Sequence, residues 1–111
     1  MPRHVFAAED PKLNFYSWDT YIGETTLGDF RKASGIEVKM DLYADNDELF
    51  AKLKEGNPGY DLIIPTNDYV ERMLKAEMLA PIDQSLIPNT KNIDPNFLDA
   101  GFDPGRKYSI P

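Results

Sequence analysis

The stretch Lys12-Leu-Asn-Phe-Tyr-Ser-Trp-Asp-Thr-Tyr21 determines how the rest of the chain is interpreted. Within it, Leu13 and Phe15 alternate with Asn14 and Tyr16, and this period of two predicts a short β-strand. The strand runs into a loop of polar and aromatic residues, which is followed by a glycine and a helical pattern. Open α/β sheets present ligand-binding groups in this way, at the carboxyl ends of their strands.

The loop Trp18-Asp19-Thr20-Tyr21 is the first candidate for ligand binding. Two aromatic rings with a carboxylate between them suit an organic cation, because ring faces attract ammonium groups and a carboxylate pairs with them. A second interpretation stays open from the residues alone, namely that Trp18 and Tyr21 are loop residues that fold back onto the core.

Composition predicts a single modest domain. The chain has 111 residues, of which 41% are hydrophobic and 28% charged, as in ordinary globular proteins. The net charge of −7 argues against nucleic acid, which selects basic surfaces. The chain contains no cysteine, so disulfides and thiolate metal sites are excluded.

Residues 1–11 carry no strand or helix pattern and are predicted to be a disordered leader or tail. Their short apolar run is too small for the core of a signal peptide, so they suit the trimmed end of one or an added leader. Residues 12–111 are therefore taken as the folded part.

The remaining chain alternates strand and helix patterns, which predicts an α/β fold. We expect strands at 12–17, 36–43 and 60–64, and helices at 24–34, 45–55 and 66–77, with an irregular end that includes a helical turn at 95–98 and an extended segment at 108–111. Short connections of this kind imply right-handed crossovers and a parallel-type sheet with helices on both faces.

Two strand patterns make predictions about burial. In the second strand, Ile36, Val38, Met40 and Leu42 share one apolar face, and the polar opposite face indicates a sheet edge or a partly exposed side. The third strand, 60–64, is mostly apolar, which is typical of a strand covered on both faces.

Three loops should meet at the carboxyl ends of the strands, namely 17–23, 44–47 and 65–68. The third loop opens a helix, whose free N–H groups could bind a carboxylate or phosphate, but Asp68 places a negative charge there. The alternative is that Thr66 and Asp68 cap this helix, as Asp45, Asn46 and Asp47 would cap the preceding one.

The residues of catalytic chemistry are missing from the predicted fold. His4 is the only histidine and lies in the predicted tail, and no phosphate-loop or dinucleotide glycine pattern is present. We therefore expect a protein that is not an enzyme and that uses no cofactor and no metal.

Four segments in order, FYSWDTY (15–21), SGIEV (34–38), YDLIIPT (60–66) and YSIP (108–111), resemble one known family. The sequence is similar to the periplasmic polyamine-binding proteins, the spermidine/putrescine receptors of ABC importers, from about residue 12 to residue 111. The resemblance implies a type II periplasmic binding protein fold, in which two α/β lobes close over the ligand. Such proteins are roughly three times as long, so residues 12–111 would be a truncated N-terminal lobe.

The resemblance also implies roles for individual residues. Trp18 and Tyr21 would box the alkyl chain and amines of the polyamine, and Thr66 matches a hydroxyl residue of the family. Asp68 departs from the family pattern of an aromatic or small polar residue, although a carboxylate there could pair with an ammonium group. The implied ligand-binding set is Trp18, Asp19, Thr20, Tyr21, Thr66 and Asp68.

The leading hypothesis is thus a fragment of a solute receptor that binds spermidine or putrescine for ABC import. Its implied partners are the polyamine and an ABC permease. Its implied location is the periplasm, or an extracellular, membrane-associated position in organisms without an outer membrane. Alternatives are a related receptor for an iron complex, a sugar or an oxyanion, and a flavodoxin-like enzyme or signalling domain, which would need a complete sheet. An incomplete lobe would expose apolar surface and sheet edges, so a homodimer or a domain swap of the fragment is also expected.

Overall fold

A computed structural model describes residues 11–56 and 58–111, so the predicted leader lies almost entirely outside the described residues. The predicted alternation of strands and helices is confirmed, although most elements are shorter than expected. The elements are β1 (Lys12–Trp18), α1 (Thr26–Ser34), β2 (Glu37–Tyr43), α2 (Asn46–Lys54), β3 (Leu62–Ile63), α3 (Asn67–Lys75) and α4 (Pro95–Leu98), with 3₁₀ turns at Gln84–Leu86, Pro88–Asn92 and Pro104–Arg106.

The three strands form a parallel sheet in the order β2-β1-β3, with β1 in the centre. Phe15 of β1 pairs with Met40 of β2 and with Leu62 of β3, so these three residues share one face. The crossovers from β1 to β2 and from β2 to β3 run in opposite directions across the sheet. Right-handed crossovers therefore place α1 and α2 on opposite faces, as expected for this fold class.

The main core lies between the sheet and the helices α2 and α3. It consists of Tyr16 and Tyr43 from the strands, Leu49 and Leu53 from α2, and Met73 from α3. Leu49 and Met73 are fully buried. The buried residues of the two helices, Leu49 and Leu53 in α2 and Val70 and Met73 in α3, are three or four positions apart and so share one face of each helix.

The opposite face of the sheet is less completely covered. β2 lies at an edge of the sheet, as its polar face indicates, whereas the prediction that β3 is covered on both faces is wrong. Val38 and Met40 are only half-buried and Leu42 is 47% exposed, whereas Tyr43, on the face predicted to be polar, is 3% exposed. Leu62 is 49% exposed, so β3 is not covered on both faces. Alternation identifies the two faces of a strand but not which face its neighbours cover, and here α2 and α3 cover the face of Tyr43.

Helix ends follow the predicted signals in part. Gly35 ends α1 in the left-handed region with φ of 75°, and its N–H donates to the carbonyl of Arg31 at 2.8 Å. Asp45 caps α2, because its carboxylate accepts from the N–H of Glu48 at 2.8 Å. Thr25 stands at the N-cap position of α1 but makes no capping hydrogen bond with its side chain.

The C-terminal segment is ordered by polar side chains rather than by strand pairing. The buried carboxylate of Asp103 accepts from the hydroxyl of Ser109 at 2.7 Å and from the N–H of Tyr108 at 3.1 Å. Arg106 donates to the same hydroxyl at 3.0 Å and to the carbonyl of Phe97 at 2.8 Å. The predicted helical turn at 95–98 is confirmed, whereas the segment predicted as extended at 108–111 contains no strand.

The exposed sheet face predicts self-association. Leu42 and Leu62 lie on the face of Phe15 and are about half exposed, and exposed apolar surface of this kind favours contact with a second chain. We expect light scattering coupled to size exclusion to show a dimer or higher oligomer at micromolar concentration. The double substitution Leu42→Ser and Leu62→Ser should shift the chain toward monomer.

Leu86→Ser is the matched control for this experiment, because Leu86 is 77% exposed and lies in a 3₁₀ turn outside the sheet. It should leave the oligomeric state unchanged. A folded monomer of the unsubstituted chain at high micromolar concentration would contradict the prediction.

Candidate functional site

Trp18 is fixed at the carboxyl end of β1. Its indole Nε1–H donates to the carbonyl oxygen of Ile64 at 2.6 Å, and the hydroxyl of Tyr43 donates to the same oxygen. The donors come from the ends of β1 and β2, and the acceptor lies directly after β3. These bonds bring together the ends of all three strands, as the parallel topology predicts.

A cluster of three tyrosine rings supports Trp18 from within the fold. Tyr16 stacks on Tyr60 with ring centroids 4.3 Å apart, and Tyr43 contacts both Tyr16 and Trp18 at 4.8 Å. The hydroxyl of Tyr60 donates to the carboxylate of Asp41 at 2.7 Å, and this bond raises the pKa of Tyr60 to about 12. Burial raises the pKa of Tyr43 and of Tyr16, so the cluster is uncharged at neutral pH.

Tyr21 lies on the outer side of this cluster. Its side chain is 62% exposed, and its ring lies 5.9 Å from that of Trp18, with 29° between the ring planes. An alkyl chain held between two rings needs a separation of about 7 Å, twice an ordinary carbon contact. The two rings therefore form one continuous aromatic surface here, and a ligand would lie along it or displace Tyr21.

The polar residues of this loop face solvent. Asp19 and Thr20 are both exposed, and Thr20 adopts the left-handed backbone conformation with φ of 63°. Within residues 11–56 and 58–111, neither side chain takes part in a hydrogen bond or an ion pair. Both side chains are thus accessible to a ligand on the Trp18 side of the sheet.

Thr66 and Asp68 form a polar corner where β3 leads into α3. The hydroxyl of Thr66 accepts from the side-chain amide of Asn46 at 3.0 Å and donates to the carboxylate of Asp68. This bond is the main reason why the pKa of Asp68 lies below its usual value, with smaller contributions from nearby N–H groups and from Arg72. Thr66 occupies the N-cap position of α3 but bonds no backbone N–H with its side chain, so its interpretation as a capping residue is wrong.

A second polar contact joins α2 and α3 beside this corner. The hydroxyl of Tyr69 donates to the carboxylate of Asp47, and the guanidinium of Arg72 lies 4.7 Å from the centre of the Tyr69 ring. The sequence pattern predicts Asn46 and Asp47 only as capping residues of α2. Their position at a helix start hid their bonds to α3, which no local pattern reveals.

The candidate site is an open surface rather than an enclosed pocket. A cleft of about 410 Å³ lies elsewhere, between the end of α3 and the C-terminal segment, and includes Leu74, Glu77 and Lys107. A smaller cleft of about 80 Å³ lies beside Gln84 and Arg106. Neither contains a residue of the predicted binding set, whose members Asp19, Thr20, Tyr21 and Asp68 are exposed.

A metal-binding cluster and a membrane-spanning helix are both absent from the part of the chain that the structure describes. None of its acidic and histidine side chains form a group of three or more that could hold a metal ion. No helix in it is long and apolar enough to cross a membrane.

The fold is that of part of a substrate-binding protein of ABC transporters. The chain superposes on PotD, a spermidine/putrescine ABC transporter substrate-binding protein of Streptococcus pneumoniae, with a TM-score of 0.86 and 38% identity over 90% of this chain and 31% of that protein. It also superposes on the TpPotD lipoprotein of Treponema pallidum, with a TM-score of 0.84 and 36% identity over 90% of this chain and 32% of that protein. No family model matches.

Sequence relatives identify the same group of proteins. The chain is 39% identical to the putrescine-binding periplasmic protein PotF of Escherichia coli over 109 residues, which are 96% of this chain and 30% of PotF. It is 41% identical to the spermidine/putrescine-binding periplasmic protein of the same organism over 106 residues, which are 95% of this chain and 30% of that protein. The relatives are thus periplasmic polyamine-binding proteins, and the chain spans about 30% of their length.

The Tyr60–Asp41 bond makes a prediction about pH. A tyrosine whose pKa is raised in the folded state stabilises it below the ordinary pKa of about 10, and this contribution is lost as the pH rises toward the folded value of about 12. Tyr60→Phe should therefore lower the free energy of unfolding by about 1 kcal/mol at neutral pH, and the difference from wild type should shrink above about pH 10.

Urea unfolding at neutral and alkaline pH measures this difference. Tyr108→Phe is the control, because the Tyr108 hydroxyl makes no hydrogen bond within the described residues. A constant difference between wild type and Tyr60→Phe at all pH values would show that the bond to Asp41 does not control the ionisation of Tyr60.

Proposed function

We propose that this chain supplies one wall of a polyamine-binding site in a solute receptor. The single observation that carries the proposal is the Trp18–Tyr21 surface, in which a tryptophan fixed by its indole N–H continues into an exposed tyrosine ring. The relatives named for putrescine and spermidine binding support the choice of ligand.

The chemistry of the wall suits a chain of methylenes with ammonium groups. The ring faces offer apolar contact for the methylenes and attract cations. Asp19 is exposed beside them, and Asp68 is held ionised at the start of α3. Carboxylates at intervals along an aromatic surface match the spaced charges of putrescine or spermidine, and we assign Thr20 and Thr66 to contacts with the amines or their waters.

The same proposal includes import of the polyamine by an ABC transporter. Residues 12–111 form the N-terminal lobe segment of a longer receptor, the second lobe closes over the ligand, and an ABC permease receives it. The compartment is the periplasm, as the names of the relatives suggest. The chain itself has no catalytic role.

An oxyanion or an iron-complex receptor is a weaker candidate. The N-terminus of α3 would be the natural anion site. However, the carboxylate of Asp68 lies in its first turn and accepts a hydrogen bond from the hydroxyl of Thr66. An arriving anion would meet that negative charge. The corner therefore favours a cationic ligand.

Ligand selectivity tests the proposal directly. Titration calorimetry of a full-length receptor that carries this chain should show binding of putrescine or spermidine, and no comparable heat with sugars, amino acids or phosphate. For this chain alone we expect weak binding or none, because one open wall buries little of the ligand. Tight binding of an oxyanion by the receptor, without polyamine heat, would refute the proposal.

The role of Trp18 can be separated from that of neighbouring aromatics. In the same receptor, Trp18→Ala should weaken polyamine binding by up to about 2 kcal/mol, because it removes a desolvated cation–π surface. Tyr69→Ala should weaken binding less, because Tyr69 is held between α2 and α3 by Asp47 and Arg72. Unchanged affinity in Trp18→Ala would exclude this residue from the site.

A further inference from the structure

Asn46, the first residue of α2, holds Thr66 through two hydrogen bonds. Its side-chain carbonyl Oδ1 accepts from the backbone N–H of Thr66 at 3.1 Å, and its Nδ2 donates to the hydroxyl Oγ1 of Thr66 at 3.0 Å. Both residues are half-buried, and the two bonds connect the start of α2 to the start of α3.

The order of donors and acceptors in this group has one consistent solution. A backbone N–H can only donate, so it fixes the carbonyl oxygen of the Asn46 amide toward Thr66 N. The amide nitrogen then faces the hydroxyl of Thr66, which must accept that bond. The single hydroxyl proton is left for the carboxylate of Asp68, to which it donates.

We propose that Asn46 is a positioning residue that orients the hydroxyl of Thr66, so that this hydroxyl donates to Asp68 and the Asp68 carboxylate is held in place for a ligand. This inference rests on the proposed function, because an oriented carboxylate would pair with an ammonium group of the polyamine. It adds to that function a residue that need not touch the ligand but determines how Thr66 and Asp68 meet it.

The charges around Asp68 bear on how it ionises. Arg72 lies one turn later on α3, and its positive charge lowers the pKa of Asp68, as does the bond from Thr66. From α2, Asp47 accepts the hydroxyl of Tyr69 beside the corner. Any test must therefore separate the direction of the hydroxyl bond from a general change of charge.

Asn46→Asp is the decisive substitution, because it has nearly the same shape but replaces the amide donor with an acceptor. The carboxylate of residue 46 then competes with Asp68 for the single hydroxyl proton of Thr66, so the bond to Asp68 is weakened. Asn67→Asp is the charge-matched control, since Asn67 is exposed and precedes Asp68 in α3. Asn46→Ala removes both bonds but leaves Thr66 able to donate to Asp68.

The measurement is the titration of the Asp68 carboxyl carbon by NMR in the chain itself, with the amide spectrum of each variant as the check of folding. We expect the pKa of Asp68 to rise more in Asn46→Asp than in Asn67→Asp, to rise in Thr66→Val, and to rise by a smaller amount in Asn46→Ala, which loses the two bonds that direct Thr66 but keeps its hydroxyl. Equal rises in the two Asp variants would show that charge alone acts. An unchanged pKa of Asp68 in Asn46→Ala would show that the hydroxyl of Thr66 turns to Asp68 without Asn46; either result overturns the proposal.

The wild-type chain provides a test that needs no substitution. Replacement of H₂O by D₂O should shift the Asp68 carboxyl signal through the bond from the Thr66 hydroxyl, and the absence of a shift beyond that of exposed Asp19 would also overturn the proposal. No polyamine is present in these experiments. A failure here therefore leaves the proposed function standing, and a failure of polyamine binding leaves the role of Asn46 in orienting Thr66 to be decided by the titration.

Discussion

The carbonyl oxygen of Ile64 is the acceptor on which the candidate site depends. It receives the indole N–H of Trp18 and the hydroxyl of Tyr43, which use both of its lone pairs. The adjacent strand β3 is only two residues long, so its ladder to β1 contributes little to holding this region. The side-chain bonds from the ends of β1 and β2 thus fix where the chain leaves the sheet and where α3 begins. Thr66 and Asp68 follow within four residues, so their place relative to Trp18 is set by the same oxygen.

The fold class could be predicted from the sequence because periodicity and helix-end signals are local. Gly35 and Asp45 each act as their residue types suggest, and the strand–helix alternation is enough to imply a parallel sheet. Burial could not be predicted in the same way. The apolar face of β2 is half exposed at Leu42, while Tyr43 on the other face is buried against β1 and α2. Which face is covered depends on the helices that pack there, and a strand pattern contains no information about them.

The residues of the candidate site also differ in whether a local sequence pattern suggests them. Trp18 and Tyr21 could be proposed because they lie three positions apart where β1 ends, and the resemblance to polyamine-binding proteins added Thr66 and Asp68 to the proposed set. The bonds of Asn46 to Thr66 span twenty residues and join two helix starts, where an Asn is usually interpreted as a cap. The C-terminal network of Asp103 and Ser109 spans only six residues but was hidden for a different reason, because polar residues in an irregular segment show no period. Hydrogen bonds between polar side chains are therefore a part of the structure that the sequence does not reveal.

The wall combines fixed and free groups in a way that suits a flexible ligand. Trp18 is held by its indole N–H and by the ring of Tyr43, and Asp68 is oriented by Thr66, so neither must be ordered when a ligand arrives. Binding costs about 0.5–1.5 kcal/mol for each long side chain that it immobilises, and a preorganised wall avoids part of this cost. Tyr21, by contrast, is exposed and, among residues 11–56 and 58–111, stacks only on Trp18, so its ring is free to move along the alkyl chain of a ligand. The fixed groups would thus determine where the ammonium groups of the ligand lie. The free ring of Tyr21 would determine how much of the alkyl chain between those ammonium groups is covered.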